Sequence, residues 1–232
     1  MKKNIIFTLS ALIISIILFE STNLDIRLED HFYNFNVHKW ILDRNQAVFK
    51  FFLYDGIKAL FIVFIIIVIG SLAFLRHNSK VKEYKTGLII VALSTILIPL
   101  TVGVLKAKTN TPCPRNITRY HGRYPYVTFL GAYPVTFKQT CKIKCFPAGH
   151  ASGGFALMSL FFLFKRKRNR IVALTCAVGV GWSTGFYKML IGDHFLSHTI
   201  DSMILAWLVI LLITLLVKHQ VNFSYKLLKT IN

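Results

Sequence analysis

The chain has 232 residues, of which 54% are hydrophobic, and its formal net charge is +19 at pH 7. A soluble domain of this length rarely contains so much apolar sequence, whereas solvation by a bilayer explains it directly. The basic residues separate apolar stretches and do not line one polar face. This pattern argues against nucleic-acid binding and favours membrane topology with attraction to anionic lipid headgroups.

Six apolar stretches are candidates for transmembrane helices, because a spanning helix needs about 20 mostly apolar residues. The fourth stretch is short and becomes long enough only if its helix begins at Pro147 or Gly149. The sequence therefore predicts an all-α fold, a six-helix membrane bundle that forms a single domain over residues 1–232. The stretches lie at about residues 4–20, 57–75, 86–105, 151–164, 171–191 and 199–217.

The distribution of basic residues predicts the orientation of this bundle. Basic clusters precede the first stretch, follow the sixth, and separate the second from the third and the fourth from the fifth. The positive-inside rule then places both termini in the cytoplasm and residues 21–56, 106–148 and 192–198 on the other side. The first stretch lacks a small-x-small cleavage site after Phe19, so we interpret it as a retained helix rather than a signal peptide.

The two long outer segments differ in character. Residues 21–56 mix charged with aromatic side chains, which is typical of an amphipathic helix or helix pair at the level of the lipid headgroups. We do not predict a catalytic role for this segment. Residues 106–148 contain five of the six prolines with many Lys, Arg, Tyr and His residues, so they cannot form a continuous helix. Loops of this length are usually functional.

Three of the four cysteines lie in the 106–148 loop, namely Cys113, Cys141 and Cys145. An outer loop faces an oxidising compartment, so one disulfide among these three is predicted, with the pair undetermined. Three thiols in such a loop make a poor structural zinc site. Cys176 lies within the fifth stretch and is predicted to be a small buried apolar residue.

A Pro-x-Gly-His turn precedes the fourth stretch and predicts an anion-binding site. The first amide groups of the following helix have no partners within the helix, and the helix dipole adds positive potential there. Gly149 permits close approach to this backbone, and His150 stands beside it.

Two histidines and an aspartate follow the fifth stretch. His194 and His198 are four residues apart, so they share one face if a helix includes both. Asp201 is the only acidic residue well inside a predicted span, and a carboxylate there needs a partner. A hydrogen-bonded relay from His194 through His198 to Asp201 would supply one. The alternative is a structural polar network between helices.

The basic residues near these clusters suit a phosphate ester, which brings about two negative charges at neutral pH. Charge-assisted hydrogen bonds from them would neutralise it, as phosphoryl transfer requires. No acidic residue lies between residues 84 and 192, which argues against a metal held by carboxylates. The candidate phosphate-binding residues are Lys106, Lys108, Arg115, Arg119, Gly149 and Lys188.

At these residues the sequence resembles the type 2 phosphatidic acid phosphatase superfamily, which shares its fold with the vanadium haloperoxidases. The family motifs are Lys-x6-Arg-Pro, Pro-Ser-Gly-His and Ser-Arg-x5-His-x3-Asp. The matching positions here are Lys106 with Pro114, then residues 147–150, then Lys188 with His194 and His198. Within the superfamily, the Cys-rich loop and the early run at residues 31–34 resemble the lipid A 4'-phosphatases.

The resemblance implies a chemistry for these residues. His194 would attack phosphorus and form a phosphohistidine, and His150 would protonate the leaving oxygen. It further implies no metal or other cofactor, a phosphorylated lipid as substrate, lipid A first among the candidates, and a site at the periplasmic face of a bacterial inner membrane. The expected partners are that lipid and the bilayer, and not nucleic acid.

The sequence also departs from the family pattern. Counted from Lys106, Cys113 stands where the first motif has arginine, so Arg115 or Arg119 is expected to supply the guanidinium group. Counting from Lys108 instead keeps Arg115 but places Asn116 at the proline, and we favour Lys106 with Pro114. Ala148 replaces a phosphate-binding serine, and Lys188 replaces an arginine that would bind phosphate bidentately. His198 replaces the orienting aspartate, so Asp201 or Asp193 is expected to serve instead.

Three other functions remain compatible with the sequence. A phosphotransferase of the same family would pass the phosphoryl group to a lipid hydroxyl rather than to water. A small transporter would use Asp201, His198 and Lys188 as a proton or anion path, although neither broken helices nor inverted repeats are evident. A catalytically inactive homologue is the third.

Overall fold

The computed structural model describes residues 1–231, with side chains up to residue 221 and at residue 223. The chain is mostly helical, as predicted, although a two-stranded antiparallel hairpin pairs β1, Tyr33–Asn34, with β2, Lys39–Trp40. The helices are α1 Lys2–Ser21, α2 Leu24–Glu29, α3 Ala47–Lys50, α4 Gly56–Phe74, α5 Ser79–Lys108, α6 Gly149–Ala156, α7 Lys167–Leu190 and α8 Leu196–Ile231.

Within the described residues, four helical segments are long and apolar enough to cross a membrane. They are α1, the continuous segment Ala47–Phe74 that ends with α4, α5, and α8 up to Val221. Large apolar side chains such as Phe7 and Leu60 are exposed on their outer surfaces, as lipid-facing residues are. The other two predicted spans correspond to α7 and to α6 with the 3₁₀ helix Leu157–Phe162, so the count of six remains a prediction.

The short helix α6 lies in the centre of the bundle, against α5, α7 and α8. A Cβ atom at Gly154 would lie 2.6 Å from the Gly181 Cα atom, so the backbones of α6 and α7 approach closely only because both residues are glycine. Around this contact, Ile98, Phe155 and Ile210 are buried with other apolar residues. Small residues in α6 therefore allow a helix of eight residues to be enclosed by longer ones.

The helices place their connections at two ends of the bundle. At one end, Lys165 Nζ lies 2.5 Å from Glu83 Oε1, which joins the start of α5 to the connection before α7. At the other end, α5 and α7 finish while α6 and α8 begin. The candidate phosphate-binding and histidine residues follow these helix ends, so the topology collects them on one side.

The segment 21–56 is not the amphipathic helix or helix pair predicted for it. It forms α2, a 3₁₀ turn, the hairpin and α3 before joining α4 through a π-helical turn. Its aromatic residues contact one another and the long loop, with the Tyr33 ring centroid 4.9 Å from that of Trp40 and 5.1 Å from that of Tyr120. Aromatic contacts with another part of the chain, rather than one apolar helix face, determine this conformation.

The long loop contains no continuous helix, as its prolines predict. Short 3₁₀ helices occur at Pro114–Asn116 and Thr118–Tyr120, and a disulfide joins Cys113 to Cys145. Cys141 is an exposed free thiol. Cys176 is also exposed on α7, so the prediction that it is buried is wrong. A thiol that faces lipid satisfies the apolar pattern of the sequence equally well.

Candidate functional site

The converging helix ends enclose a cavity of about 590 Å³. Two histidines, six basic side chains and one carboxylate line it, so its walls carry a net charge of +5 with both histidines neutral. The charged and histidine residues are Arg44, Lys50, Lys106, Arg115, Lys144, His150, Lys188, Asp193 and His194.

A tight turn after α7 carries His194 into this cavity. The Lys188 carbonyl accepts hydrogen bonds from the backbone N–H groups of Asp193, at 2.7 Å, and His194, at 3.3 Å. Gly192 within the turn has φ of +70°, and a Cβ atom there would lie 2.3 Å from the Trp40 ring. Both the backbone conformation and the space therefore require glycine. The His194 side chain is 2% exposed.

His194 is held by the second histidine of its motif. His194 Nδ1 lies 3.4 Å from His198 Nδ1, which is one turn into α8. The backbone carbonyl of Cys145 is the other polar group that interacts with the His198 ring. If His198 donates its Nε2–H to that carbonyl, its Nδ1 atom accepts a hydrogen bond from the Nδ1–H group of His194. The Nε2 atom of His194 then keeps its lone pair. We assign this tautomer from the hydrogen-bond pattern.

Burial lowers the pKa of His194 well below its ordinary value of 6.5, and His198, Lys106, His150 and Lys188 lower it further. A buried imidazolium would lose its hydration and face these cationic groups, so the neutral ring is favoured. His194 is therefore neutral at neutral pH, which is the form that carries a free lone pair.

His150 lies across the cavity from His194, in the first turn of α6. The centroids of the two imidazole rings are 6.0 Å apart. The Tyr54 ring meets the His150 ring edge to face at 4.9 Å, which limits how His150 can turn. A Cβ atom at Gly149 would lie 3.9 Å from Lys106 Nζ, so the lysine reaches the start of this helix.

Asp193 joins two of the cations beside His194. Its Oδ2 atom lies 2.9 Å from Lys188 Nζ, and its Oδ1 atom lies 2.5 Å from Arg115 Nη1. The Arg115 backbone N–H also donates to the Gly192 carbonyl at 3.0 Å, so this arginine is tied to the His194 turn twice. Asp193 thereby prevents two neighbouring cations from repelling each other when no phosphate is present.

Three residues predicted for the site lie elsewhere. Lys108 is exposed and lies outside the cavity. It is two residues from Lys106 in α5, so the two side chains point to roughly opposite sides of the helix. Arg119 forms an ion pair with Asp30, with Nη2 and Oδ2 2.6 Å apart. Its guanidinium group is committed to the 21–56 segment, and of the two candidate arginines Arg115 is the one that lines the cavity.

The predicted relay from His198 to Asp201 is wrong. Asp201 faces α1 and accepts a hydrogen bond from Ser15 Oγ at 2.6 Å. Among the hydrogen bonds of the described residues there is none between Asp201 and His198. Asp201 lies three residues beyond His198 in α8, and its side chain points toward the neighbouring helix α1, which supplies its partner.

Four residues that were not predicted for the site also line the cavity: Arg44, Lys50, Tyr54 and Lys144. Three of them belong to the 21–56 segment, whose mixture of charges and aromatic residues we interpreted as membrane contact. Residues 21–56 contain five acidic and four basic residues, so no excess of positive charge marks this segment. Nothing in the spacing shows that Arg44 shares a cavity with Lys106 and His194, which lie 62 and 150 positions further along the chain.

Asp25 was also missed. Its carboxylate accepts hydrogen bonds from the Ser197 backbone N–H at 2.9 Å and from the Ser197 hydroxyl at 2.5 Å, in the first turn of α8. Burial raises the pKa of Asp25 to about 6. Since Ser197 lies between the two histidines in sequence, Asp25 fixes the helix end that carries them.

The geometry defines a multi-pass helical membrane protein with a cationic, histidine-containing cavity suited to a phosphate ester. Residues 87–221 match the family described as the PAP2 superfamily. A lipid A 4'-phosphatase from Francisella tularensis subsp. novicida (strain U112) is 30% identical over 182 residues, which cover 77% of this chain and 79% of that protein. No solved structure matches the chain.

The chain belongs to the PAP2 superfamily, because the family match covers more than half of its length. It is a membrane lipid phosphatase, a phosphoric monoester hydrolase. These findings confirm the family resemblance given by the motifs and favour an enzyme over a transporter. Among the described residues, no group of three or more His, Cys, Asp or Glu side chains is arranged to hold a metal ion.

Proposed function

We propose that this enzyme removes a phosphate monoester from a lipid of the lipid A class through a phosphohistidine on His194. The name of the Francisella relative supports the substrate class. The observation that carries the mechanism is the contact between the Nδ1 atoms of His194 and His198. It leaves His194 Nε2 for the substrate, in a cavity shared with His150.

In the first step, the lone pair of His194 Nε2 attacks phosphorus and the bond from phosphorus to the ester oxygen breaks. Burial, Lys188 and Lys106 lower the pKa of His150 to about 4, and the anionic phosphate bound beside it opposes that effect. His150 thus enters this step protonated and gives its proton to that oxygen, so the dephosphorylated lipid leaves as an alcohol. The Nδ1–H of His194 stays hydrogen-bonded to His198 Nδ1 as positive charge develops on the ring. The centroids of the two rings are 6.0 Å apart and both rings line the cavity, so both can reach a phosphoryl group bound there.

In the second step, His150 is neutral and takes a proton from a water molecule, whose oxygen attacks phosphorus. The phosphorus–nitrogen bond breaks, inorganic phosphate leaves, and His194 regains its lone pair while His150 regains its proton. The same residue thus acts first as acid and then as base.

Lys106, Arg115 and Lys188 bind the non-bridging phosphate oxygens in this proposal. With Asp193 they carry a net charge of +2, which matches the charge of about −2 on a phosphate monoester. Charge-assisted hydrogen bonds from these donors stabilise the charge that develops in the transition state. A lysine at position 188 donates as a point charge, so the bidentate contact falls to Arg115.

We further propose that the cavity opens on the periplasmic side of the inner membrane, with both termini in the cytoplasm. The disulfide between Cys113 and Cys145 lies at the cavity end of the bundle, and such bonds persist in oxidising compartments. The basic residues near Lys165 lie at the opposite end, where the positive-inside rule expects the cytoplasm.

The test is release of inorganic phosphate from lipid A by the purified protein in detergent. We expect release by the natural enzyme, and a loss of at least about 10³-fold in His194→Ala and about 10²-fold in His150→Ala. His31→Ala is the matched control, because His31 is exposed and does not line the cavity. Full activity of a folded His194→Ala protein would exclude the mechanism.

The covalent intermediate is tested separately. After brief mixing with substrate, acid-labile and base-stable phosphate on His194 is expected by mass spectrometry, with more of it in His150→Ala because hydrolysis lacks its base. Release of inorganic phosphate would show hydrolysis. Transfer to a second lipid would instead increase the mass of that lipid by one phosphate.

A further inference from the structure

The basic residues of the cavity form two sets. Lys106, Arg115 and Lys188 are partly or fully buried near the histidines and form the inner set. Arg44, Lys50 and Lys144 line the same cavity but are exposed, and we call them the outer set. In the described part of the chain, none of the outer set forms an ion pair with a carboxylate.

One phosphate does not neutralise this cavity. The inner set with Asp193 already balances a phosphate monoester, whose charge is about −2. The outer set adds three positive charges, and the cavity lining contains no second carboxylate. Unmatched cations of this density repel one another, and a bound anion would relieve that repulsion.

The size of the cavity points the same way. At about 590 Å³ it falls within the range of roughly 300–1,000 Å³ that encloses most of a drug-sized molecule. A phosphoryl group fills only the part between the two histidines. The remaining space, beside the outer set, is therefore available to the headgroup that carries the phosphate.

The segment that carries Arg44 is held against the turn that leads to His194. Two residues before it, the Leu42 backbone N–H donates to the Leu190 carbonyl at the end of α7, at 3.3 Å. The Trp40 ring lies against Gly192, where it fills the space of a side chain. The segment that carries Arg44 is thus fixed on the turn that leads to His194.

The two lysines are anchored in the same manner. Lys144 precedes Cys145, whose disulfide to Cys113 ties it to the segment that carries Arg115. Lys50 ends α3, one turn before Tyr54. The Tyr54 ring lies 4.5 Å from Lys188 Nζ as well as against His150.

We propose that Arg44, Lys50 and Lys144 bind a second anionic group of the substrate headgroup, so the enzyme prefers lipids with two anionic groups and cleaves only one phosphate ester. This inference rests on the proposed function, since it places the cleaved phosphate at the inner set. The outer set determines the affinity for the headgroup, whereas the inner set and the histidines carry out the chemical step.

The experiment compares two forms of lipid A: one with two phosphate groups and one with only the phosphate to be removed. For the natural enzyme we expect a KM at least about tenfold lower for the form with two phosphates, with similar kcat values. The triple variant Arg44→Ala/Lys50→Ala/Lys144→Ala should raise KM for that form at least about tenfold more than for the other. The variant Arg44→Lys/Lys50→Arg/Lys144→Arg keeps all three positive charges, so it should retain most of the KM difference between the two lipids.

The matched control removes the same charges outside the cavity. Lys39, Arg123 and Lys138 are exposed and do not line it, so Lys39→Ala/Arg123→Ala/Lys138→Ala should keep the natural KM ratio. Equal KM values for both lipids, or an equal loss on both in the cavity triple variant, would overturn the inference while leaving the proposed function intact. Release of phosphate from neither lipid by the natural enzyme would overturn both.

Discussion

The pair formed by His194 and His198 departs most from the family pattern at the level of single residues. The motif expects an aspartate at position 198, which would accept the Nδ1 proton of the nucleophile through a carboxylate. Here a second imidazole takes that place, with the two Nδ1 atoms 3.4 Å apart. In the proposed mechanism, a neutral acceptor orients the nucleophile without adding negative charge to the cavity that binds the phosphate.

We predict that His198→Ala lowers kcat about 10²–10⁴-fold with little change in KM, because the nucleophile loses the partner that fixes its tautomer. His198→Asn retains an acceptor oxygen and should recover a substantial part of the activity. Steady-state phosphate release measures both variants. Equal activities for the alanine and asparagine variants would show that the contact is structural only.

The pH dependence of kcat/KM gives a second prediction. Because burial and the neighbouring cations lower the pKa of His194 well below 6.5, its neutral form persists as the pH falls. The acidic limb of the profile should therefore lie below pH 6.5. Lys106→Gln removes one of those cations and should move the limb upward, whereas a limb caused by the substrate phosphate would stay in place.

Small connecting elements determine the site at the level of secondary structure. The turn at Gly192 and the first turn of α8, capped by Asp25, orient the two histidines of the third motif. The disulfide from Cys113 to Cys145 links the Arg115 segment to the carbonyl that faces His198. The long helices supply a frame, and these short elements set the directions of the reactive side chains.

The docking of α2 on the bundle gives a stability prediction. Glu29 in α2 is fully buried, and within the described residues neither of its carboxylate oxygens has a hydrogen-bond partner. Burial, with a smaller contribution from the nearby Asp25 and Asp30 carboxylates, raises the pKa of Glu29 to about 10. The folded protein therefore keeps this group protonated, and its contribution to stability declines as the pH rises above the ordinary value of 4.5.

Glu29→Gln replaces the acid by a neutral group of the same shape. At pH 7 we expect a higher unfolding temperature, by at least the 2–4 °C that about 1 kcal/mol gives in a chain of this size. Below pH 4.5 the difference should disappear. Thermal unfolding in detergent at both pH values measures it, and a lower unfolding temperature at pH 7 would contradict the assignment.

The two ends of the bundle differ in chemistry when the whole molecule is considered. One end holds the cavity and the disulfide, and the other holds the basic connections near Lys165. This separation agrees with a protein that acts on one face of a membrane while the basic connections between its helices remain on the other face.

Cys141 provides a direct test of that orientation, because it is a free, exposed thiol on the cavity side. A maleimide that does not cross membranes should label it in spheroplasts, and Cys141→Ser should abolish this labelling. A cysteine introduced at Lys167, at the start of α7, should react only after the membrane is opened. The reverse pattern would show that the cavity faces the cytoplasm.

Much of this organisation was predictable from local sequence. Apolar stretches longer than a bilayer is thick predict the helices α1, α4, α5 and α8, and proline density predicts the irregular loop. Motif spacing predicts that Lys188, His194 and His198 act together, because a helix end and a tight turn keep them close. Arg119 and Asp201 could not be assigned in this way, since each has a partner more than 80 residues away along the chain.

The sequence by itself determined the membrane character, the family and the histidines proposed to react, because these depend on composition and on spacing within single elements. Only the tertiary structure decided which cations surround those histidines. Arg44, Lys50 and Lys144 come from segments with no motif, and they reach the cavity through a backbone contact to α7, a helical turn and a disulfide. Contacts between distant segments follow from packing in three dimensions, which no local pattern encodes.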